Sequence, residues 1–144
     1  MSGFREMRRK RQQLSEEESI GILQKATSGT LALLGDGGYP YAVPISYVYH
    51  ERKLYFHSAL AGHKVDAIRK CDKASFCVIE KDDVQPEKYT TFFRSVIAFG
   101  RIQASLTLLS LLHHFSEFHI SIFNGCKDTN KRAKYQIIFE YFRA

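Results

Sequence analysis

Apolar and polar positions along the 144-residue chain change their period several times, and each change marks an element. The first periodic stretch follows Ser15-Glu16-Glu17-Glu18, which has the form of a capping box. A Ser15 hydroxyl can accept from the backbone N–H three residues on, while Glu18 reaches back to the Ser15 amide. Ile20, Leu23 and Ala26 then recur at spacings of three, predicting a helix with a narrow apolar stripe that ends at Thr27-Ser28-Gly29. From Thr30 the period falls to two. Thr30 to Leu34 reads as a strand running into the turn signal Gly35-Asp36-Gly37-Gly38. The returning strand places Tyr39, Tyr41, Val43, Ile45, Tyr47 and Tyr49 on one face, with Pro40, Ala42, Pro44, Ser46 and Val48 on the other.

His50-Glu51-Arg52 makes a second tight connection, into the aromatic-rich strand Lys53 to Ala59, so that three antiparallel strands are expected to be joined in succession. After Gly62, Val65, Ile68 and Cys71 recur every three residues among charged positions, the pattern of a short amphipathic helix. Strand character returns in Ser75 to Ile79, a polar loop is expected from Lys81 to Lys88, and the longest strand signal runs from Tyr89 through Ile102. Leu106 to Phe115 reads as a helix, Phe123 to Asp128 as a loop and Tyr135 to Phe142 as a last strand. Several strands joined mostly by short turns predict a mainly β fold, an antiparallel barrel with a few flanking helices, because closing a sheet removes exposed edges. Residues 1–14 read as a basic arm and residues 15–144 as one domain, a length that one core can serve.

Composition changes this picture little. The chain is 44% hydrophobic and 25% charged, which argues for neither disorder nor a membrane protein. Eleven Phe, eight Tyr and no Trp reinforce the strand assignment, since aromatic rings fit a half-buried pleated surface. The formal charge of +6 comes mostly from Arg5, Arg8, Arg9, Lys10 and Arg11 against Glu6; the remainder holds 16 basic and 14 acidic residues. So local an excess is read as a solvated or dimer-contacting arm, and no nucleic-acid partner is expected. Cys71, Cys77 and Cys126 form no C-x-x-C pair, the first thirty residues lack a continuous apolar signal segment, and no run of 18 apolar residues occurs. Reduced thiols and a cytoplasmic protein with no membrane partner are the expectation.

Candidate chemistry concentrates in His57-Ser58-Ala59-Leu60-Ala61-Gly62-His63-Lys64. A helix beginning at His63 offers unpaired N–H groups and the positive end of its dipole, Ser58 adds a hydroxyl donor, and Lys64 adds a full charge in the first turn. Cations are disfavoured at that end of a helix, and a bound anion would remove the conflict. Spacing alone leaves two readings open: an oxyanion site, or an ordinary surface lysine beside a capping histidine. Pro44 poses a similar choice, because a proline within a strand belongs at an edge, at a bulge or beside a non-protein neighbour. The six His and three Cys have no standard metal-ligand spacing, and no metal site is expected. No nucleophile sits in a recognisable elbow motif.

Several ordered blocks together resemble the FMN-binding split barrels related to pyridoxamine 5′-phosphate oxidase, and among them the nitroimidazole-resistance branch. They are Met7-Arg8-Arg9-Lys10, Gly37 to Tyr47, Leu54 to Ala59 with Gly62-His63-Lys64 and Asp66-Ala67-Ile68, then Pro86 to Thr91 leading to Arg94 to Arg101. The likeness covers about residues 7 to 101; residues 102–144 depart from the family pattern, Ile102 to Gly125 being rich in Ser, Leu, His and Phe. The resemblance implies a homodimer with two FMN (or FAD) sites at the subunit interface. Val43, Pro44, Ile45 and Ser46 would line the isoalloxazine ring with backbone groups. His57, Ser58, His63 and Lys64 would hold the phosphate and ribityl chain, and Arg94 and Ser95 would contact flavin. A flavin-dependent oxidoreductase acting on a small electrophilic substrate, such as a nitro compound, with NAD(P)H as a candidate electron donor, is the implied function. The alternative is a flavin- or haem-binding protein that stores or senses its ligand without catalysis.

Overall fold

The computed structural model describes residues 5–105 and 135–143, the latter as backbone. In chain order the elements are α1 (Glu16–Lys25), β1 (Ser28–Leu34), β2 (Pro40–Ser46), β3 (Val48–His50), β4 (Lys53–Ser58), α2 (His63–Lys70), β5 (Lys73–Gln85), β6 (Thr90–Ser105) and β7 (Tyr135–Arg143). The helix and loop expected at Leu106 to Phe115 and Phe123 to Asp128 lie outside the described residues.

The capping box forms as written in the sequence. Ser15 Oγ accepts from the Glu18 N–H at 3.1 Å and the Glu18 carboxylate accepts from the Ser15 N–H at 2.9 Å. The buried face of α1 differs from the expected stripe: Ser19, Ile22 and Leu23 are buried, while Ile20 and Ala26 are only partly so. In α2 the buried residues are Val65, Ala67 and Ile68, with Cys71 just past the end.

All seven strands are antiparallel and form one sheet in the order β2-β1-β5-β6-β7-β4-β3. β2 and β3 are the two edges, yet only Tyr47 separates them in the chain. Two peptide units span at most about 7 Å, so the sheet must roll until its edges meet at Tyr47. No ladder joins those edges among the described residues. The result is a split barrel.

This arrangement corrects the expectation of one return strand followed by a third strand beside it. Alternation runs unbroken through residues 39–49, so periodicity cannot see that the pairing partner changes at Tyr47. What breaks the strand there is a tertiary anchor. The Tyr47 N–H donates to Thr27 O at 3.1 Å and its hydroxyl donates to Leu23 O at 2.7 Å, one of the carbonyls that the C-terminal turn of α1 leaves without a helical partner. The β3–β4 connection is a two-residue loop with Glu51 and Arg52 at φ 46° and 63°, the left-handed pair that matches strand twist in a tight hairpin.

The second correction concerns residues 81–88. The polar run expected to be a loop is mostly strand: Lys81 to Gln85 pair with Thr90 to Arg94, leaving Pro86–Lys88 and the left-handed Tyr89 as the connection. Its polarity reflects a two-stranded arm projecting past the core, with solvent on both faces. A bulge at Glu80, between Ile79 and Lys81, separates this arm from the barrel wall.

Inside the roll, Leu31, Leu33, Leu54, Phe56, Phe76, Val78, Val96, Ala98 and Ile102 meet Ile22, Leu23, Ala67 and Ile68 from the helices. Tyr47 sits edge-on to Phe76 with centroids 4.9 Å apart, and Phe56 lies 5.3 Å from Phe76. The last strand, β7, occupies the gap between β6 and β4, with Phe139 in register with both Ile102 and Leu54.

Candidate functional site

Strand β4 alternates strictly, with Leu54, Phe56 and Ser58 buried and Lys53, Tyr55 and His57 facing the other way. Ser58 therefore ends the strand pointing inward at 7% exposure, while His57 lies on the outer side. The chain turns through Ala59 to Gly62 and enters α2. Gly62 is the N-cap at φ 128°, ψ 171°, a conformation essentially restricted to glycine. It makes no side-chain cap, so the first N–H groups of α2 receive no side-chain acceptor. Among the described residues a Cβ added at Gly62 would meet no atom within 4 Å, so they leave space open beside these donors. Gly62→Ala is accordingly expected to cost about 1–3 kcal/mol through backbone strain alone. Chemical denaturation of the variant would measure it.

Lys64 lies in that first turn and is partly buried. Burial holds its ammonium below the ordinary lysine value, and among the described residues no carboxylate pairs with it. A desolvated cation next to uncapped N–H groups and open space is the environment that an anionic ligand satisfies.

His63 is held differently. Its ring stacks on Tyr41 with centroids 4.0 Å apart and planes at 25°, and Nε2 accepts from the Asp36 N–H at 3.4 Å. The Asp36 carboxylate lies 3.8 Å from Nε2 and 2.9 Å from Lys70 Nζ. Lys70 first, and His63 after it, hold the Asp36 carboxyl below its usual range, while Asp36 raises Lys70. Asp36, Tyr41 and Lys70 escaped the sequence reading; Asp36 carried only a turn signal, and nothing local links it to a histidine 27 positions on.

β2 lies at a sheet edge, so among the described residues the backbone groups on its outer side face no strand. Val43 and Ile45 pack against the core while Pro44 and Ser46 are exposed on the outer face. Pro44, in register with Thr30, sits on an edge strand, where a proline is tolerated. Register sets Pro44, Thr30, Cys77 and Ile97 in one row across β2, β1, β5 and β6, and Ala42, Ala32, Ser75 and Phe99 in the next. Ser95 opposes Ile79 on the same outer face.

Arg94, one residue earlier, points to the opposite side. Its Nη2 lies 3.5 Å from Glu18 Oε1 and its Nε 3.2 Å from Glu80 Oε2. The Nε–H does not aim at that carboxylate and is buried without a hydrogen bond. Within one chain, then, Ser58, His63 and Lys64 gather at the β4–α2 turn, Pro44, Ser46 and Ser95 share the outer sheet face, and the ion pairs of Arg94 run to α1 and β5. Among the described residues no group of three or more His, Cys, Asp or Glu could hold a metal, and no helix is long and apolar enough to cross a membrane.

Comparison with known proteins adds a family and a set of folds. The sequence matches the pyridoxamine 5′-phosphate oxidase family over residues 15–115. No curated protein sequence matches it. Among solved structures it is similar to an FAD-binding protein from Mesorhizobium loti at 25% identity, TM-score 0.66, over 89% of this chain and 90% of that one. It is also similar to a candidate 5-nitroimidazole antibiotic resistance protein from Bacteroides thetaiotaomicron at 14% identity, TM-score 0.67, over 90% and 81% of the two chains. An FAD- and haem-binding protein from Mycobacterium smegmatis matches at 20% identity, TM-score 0.66, over 88% and 66%.

Proposed function

Because the chain belongs to the pyridoxamine 5′-phosphate oxidase family, we propose that it binds a flavin, FMN in the first place, with the phosphate at the β4–α2 turn. The observation that carries this reading is Lys64: a partly buried ammonium whose pKa desolvation lowers and which, among the described residues, has no carboxylate partner and lies beside helix N–H groups that no side chain caps. Likeness to an FAD-binding protein supports the ligand class. The residues fit the group. Lys64 and the α2 N–H groups would hold the phosphate, Ser58 would add a hydroxyl donor, and the free edge of β2 at Val43 to Ser46 would present backbone groups to the ring.

We propose further that the site is completed in a homodimer. The outer face bearing Ser95 also exposes Ile79 (65%), Ile97 (50%) and Phe99 (40%), more apolar surface than an isolated wall of a barrel requires. Pairing of two such faces would bring Ser95 of one chain to the Pro44–Ser46 edge of the other. Light scattering should give twice the 16.6 kDa chain mass; a strict monomer that still binds FMN tightly would contradict the shared site.

Bound flavin would supply the redox chemistry of an oxidoreductase acting on small electrophiles, with NAD(P)H as donor. The part of this chain is orientation and electrostatics, in a cytoplasmic setting where Cys71 and Cys77 remain free thiols. The visible spectrum of the protein as purified tests the ligand: flavin bands support the reading, a Soret band alone would favour a haem-binding role, and no chromophore after FMN addition would refute both.

A further inference from the structure

We propose that His63 is a positioning residue for the anion turn, acting through the β1–β2 hairpin and not by touching the ligand; this rests on the flavin site proposed above. Nε2 of His63 faces the hairpin, 3.4 Å from the Asp36 backbone nitrogen and 3.8 Å from the Asp36 carboxylate, so this edge of the ring is turned to Asp36 and away from a phosphate. One ring face is spent on Tyr41. The hairpin comes so close at this point that a Cβ on Gly35 would stand 3.3 Å from Nε2 and 2.8 Å from Tyr39 O.

The hairpin grips α2 at both ends. His63 is its first residue and Lys70 its last, seven positions apart and so on one helix face, and Asp36 faces both. That double contact sets the rotation of the helix. His63 and Lys64 project about 100° apart around the axis, so with the histidine ring committed to the hairpin, the Lys64 ammonium and the first N–H groups are aimed elsewhere, into the open space beside Gly62. Losing the His63 contact would let the first turn rotate or fray, and the anion would lose aligned donors while every one of them remained present.

Isosteres separate positioning from contact. Glutamine places its carbonyl oxygen where Nε2 of histidine lies and can accept the Asp36 N–H; asparagine reproduces only the Nδ1 position. FMN affinity of the full chain, read by quenching of flavin fluorescence, should stay within about threefold of wild type in His63→Gln and weaken about tenfold in His63→Asn and His63→Ala, the scale of one hydrogen bond. Rescue by asparagine but not glutamine would mean direct contact and overturn the proposal, as would equal affinity or equal loss in all three variants. Lys70→Met, at an exposed position where folding is not at stake, should weaken binding about two- to threefold and add nothing in the His63→Ala background; a full additive loss there would also overturn it. Lys64→Ala serves as the control: if it leaves FMN binding unchanged, the flavin site itself fails, whatever the His63 variants do.

Discussion

Tyr47→Ala is expected to destabilise the protein by about 3–5 kcal/mol, the range for removing a buried aromatic ring from a packed core. The residue is 1% exposed, lies edge-on to Phe76 and ties the split in the barrel to Leu23 O of α1 and to Thr27 O just beyond it through two hydrogen bonds. Truncation would empty the place where the two sheet edges meet and leave Leu23 O without its buried donor. Tyr47→Phe isolates the second effect. It keeps the ring and removes only the hydroxyl, whose burial already pushes its pKa above the usual tyrosine value, and it should cost about 1–3 kcal/mol. Urea unfolding of both variants measures the two contributions, and a Tyr47→Ala variant within about 1 kcal/mol of wild type would show that the edges are held by something other than this anchor.

Lys64→Ala is expected to weaken FMN binding by about 1.5–3 kcal/mol, a roughly ten- to 150-fold rise in Kd, the worth of a hydrogen bond to a charged group. Partial burial sharpens the effect in two ways. Salt screens such a contact less than an exposed one, and an ammonium already desolvated in the free protein gives up less hydration when the anion arrives. Lys64→Arg should recover only part of the loss, because a planar fork does not reproduce a compact point charge at the first turn of a helix. Fold stability should hardly change in either variant, since Lys64 has no carboxylate partner to lose among the described residues.

Much of the fold was legible in the sequence because local signals and tertiary structure agree there. The Ser15–Glu18 box, the Gly35–Gly38 turn, the tight connection at His50-Glu51-Arg52, which the structure narrows to Glu51-Arg52, and the last strand at Tyr135 each follow from nearest-neighbour chemistry or simple alternation. What stayed hidden was pairing. Tyr47 continues an alternating run, yet it is where the chain passes from one sheet edge to the other, a fact set by its bonds to Leu23 and Thr27. Lys81 to Gln85 read as loop because a projecting arm has no dry face to impose a period.

The site divides along the same line. Gly62 and Lys64 were readable, because a lysine in the first turn of a helix contradicts its own dipole and so asks for an anion. His63 was readable as a residue of interest but not in its role, since its partners Asp36 and Tyr41 lie on another element. Adjacent residues assigned together on resemblance, such as His57 with Ser58 and Arg94 with Ser95, face opposite sides of their strands. Side-chain contact of both members of a pair with one ligand from the same chain is hard to arrange, and contributions from two chains meet that constraint.

The central claim is that the β4–α2 turn recognises the phosphate of a flavin, and comparing FMN with riboflavin tests it most directly, because the two ligands differ only in that group. Dissociation constants for both should be measured by fluorescence quenching in wild type and in Lys64→Ala. Wild type is expected to prefer FMN by at least about tenfold, with most of that preference lost in Lys64→Ala while riboflavin affinity stays the same. Equal affinity of wild type for the two ligands, or an FMN preference that survives loss of Lys64 intact, would contradict the account.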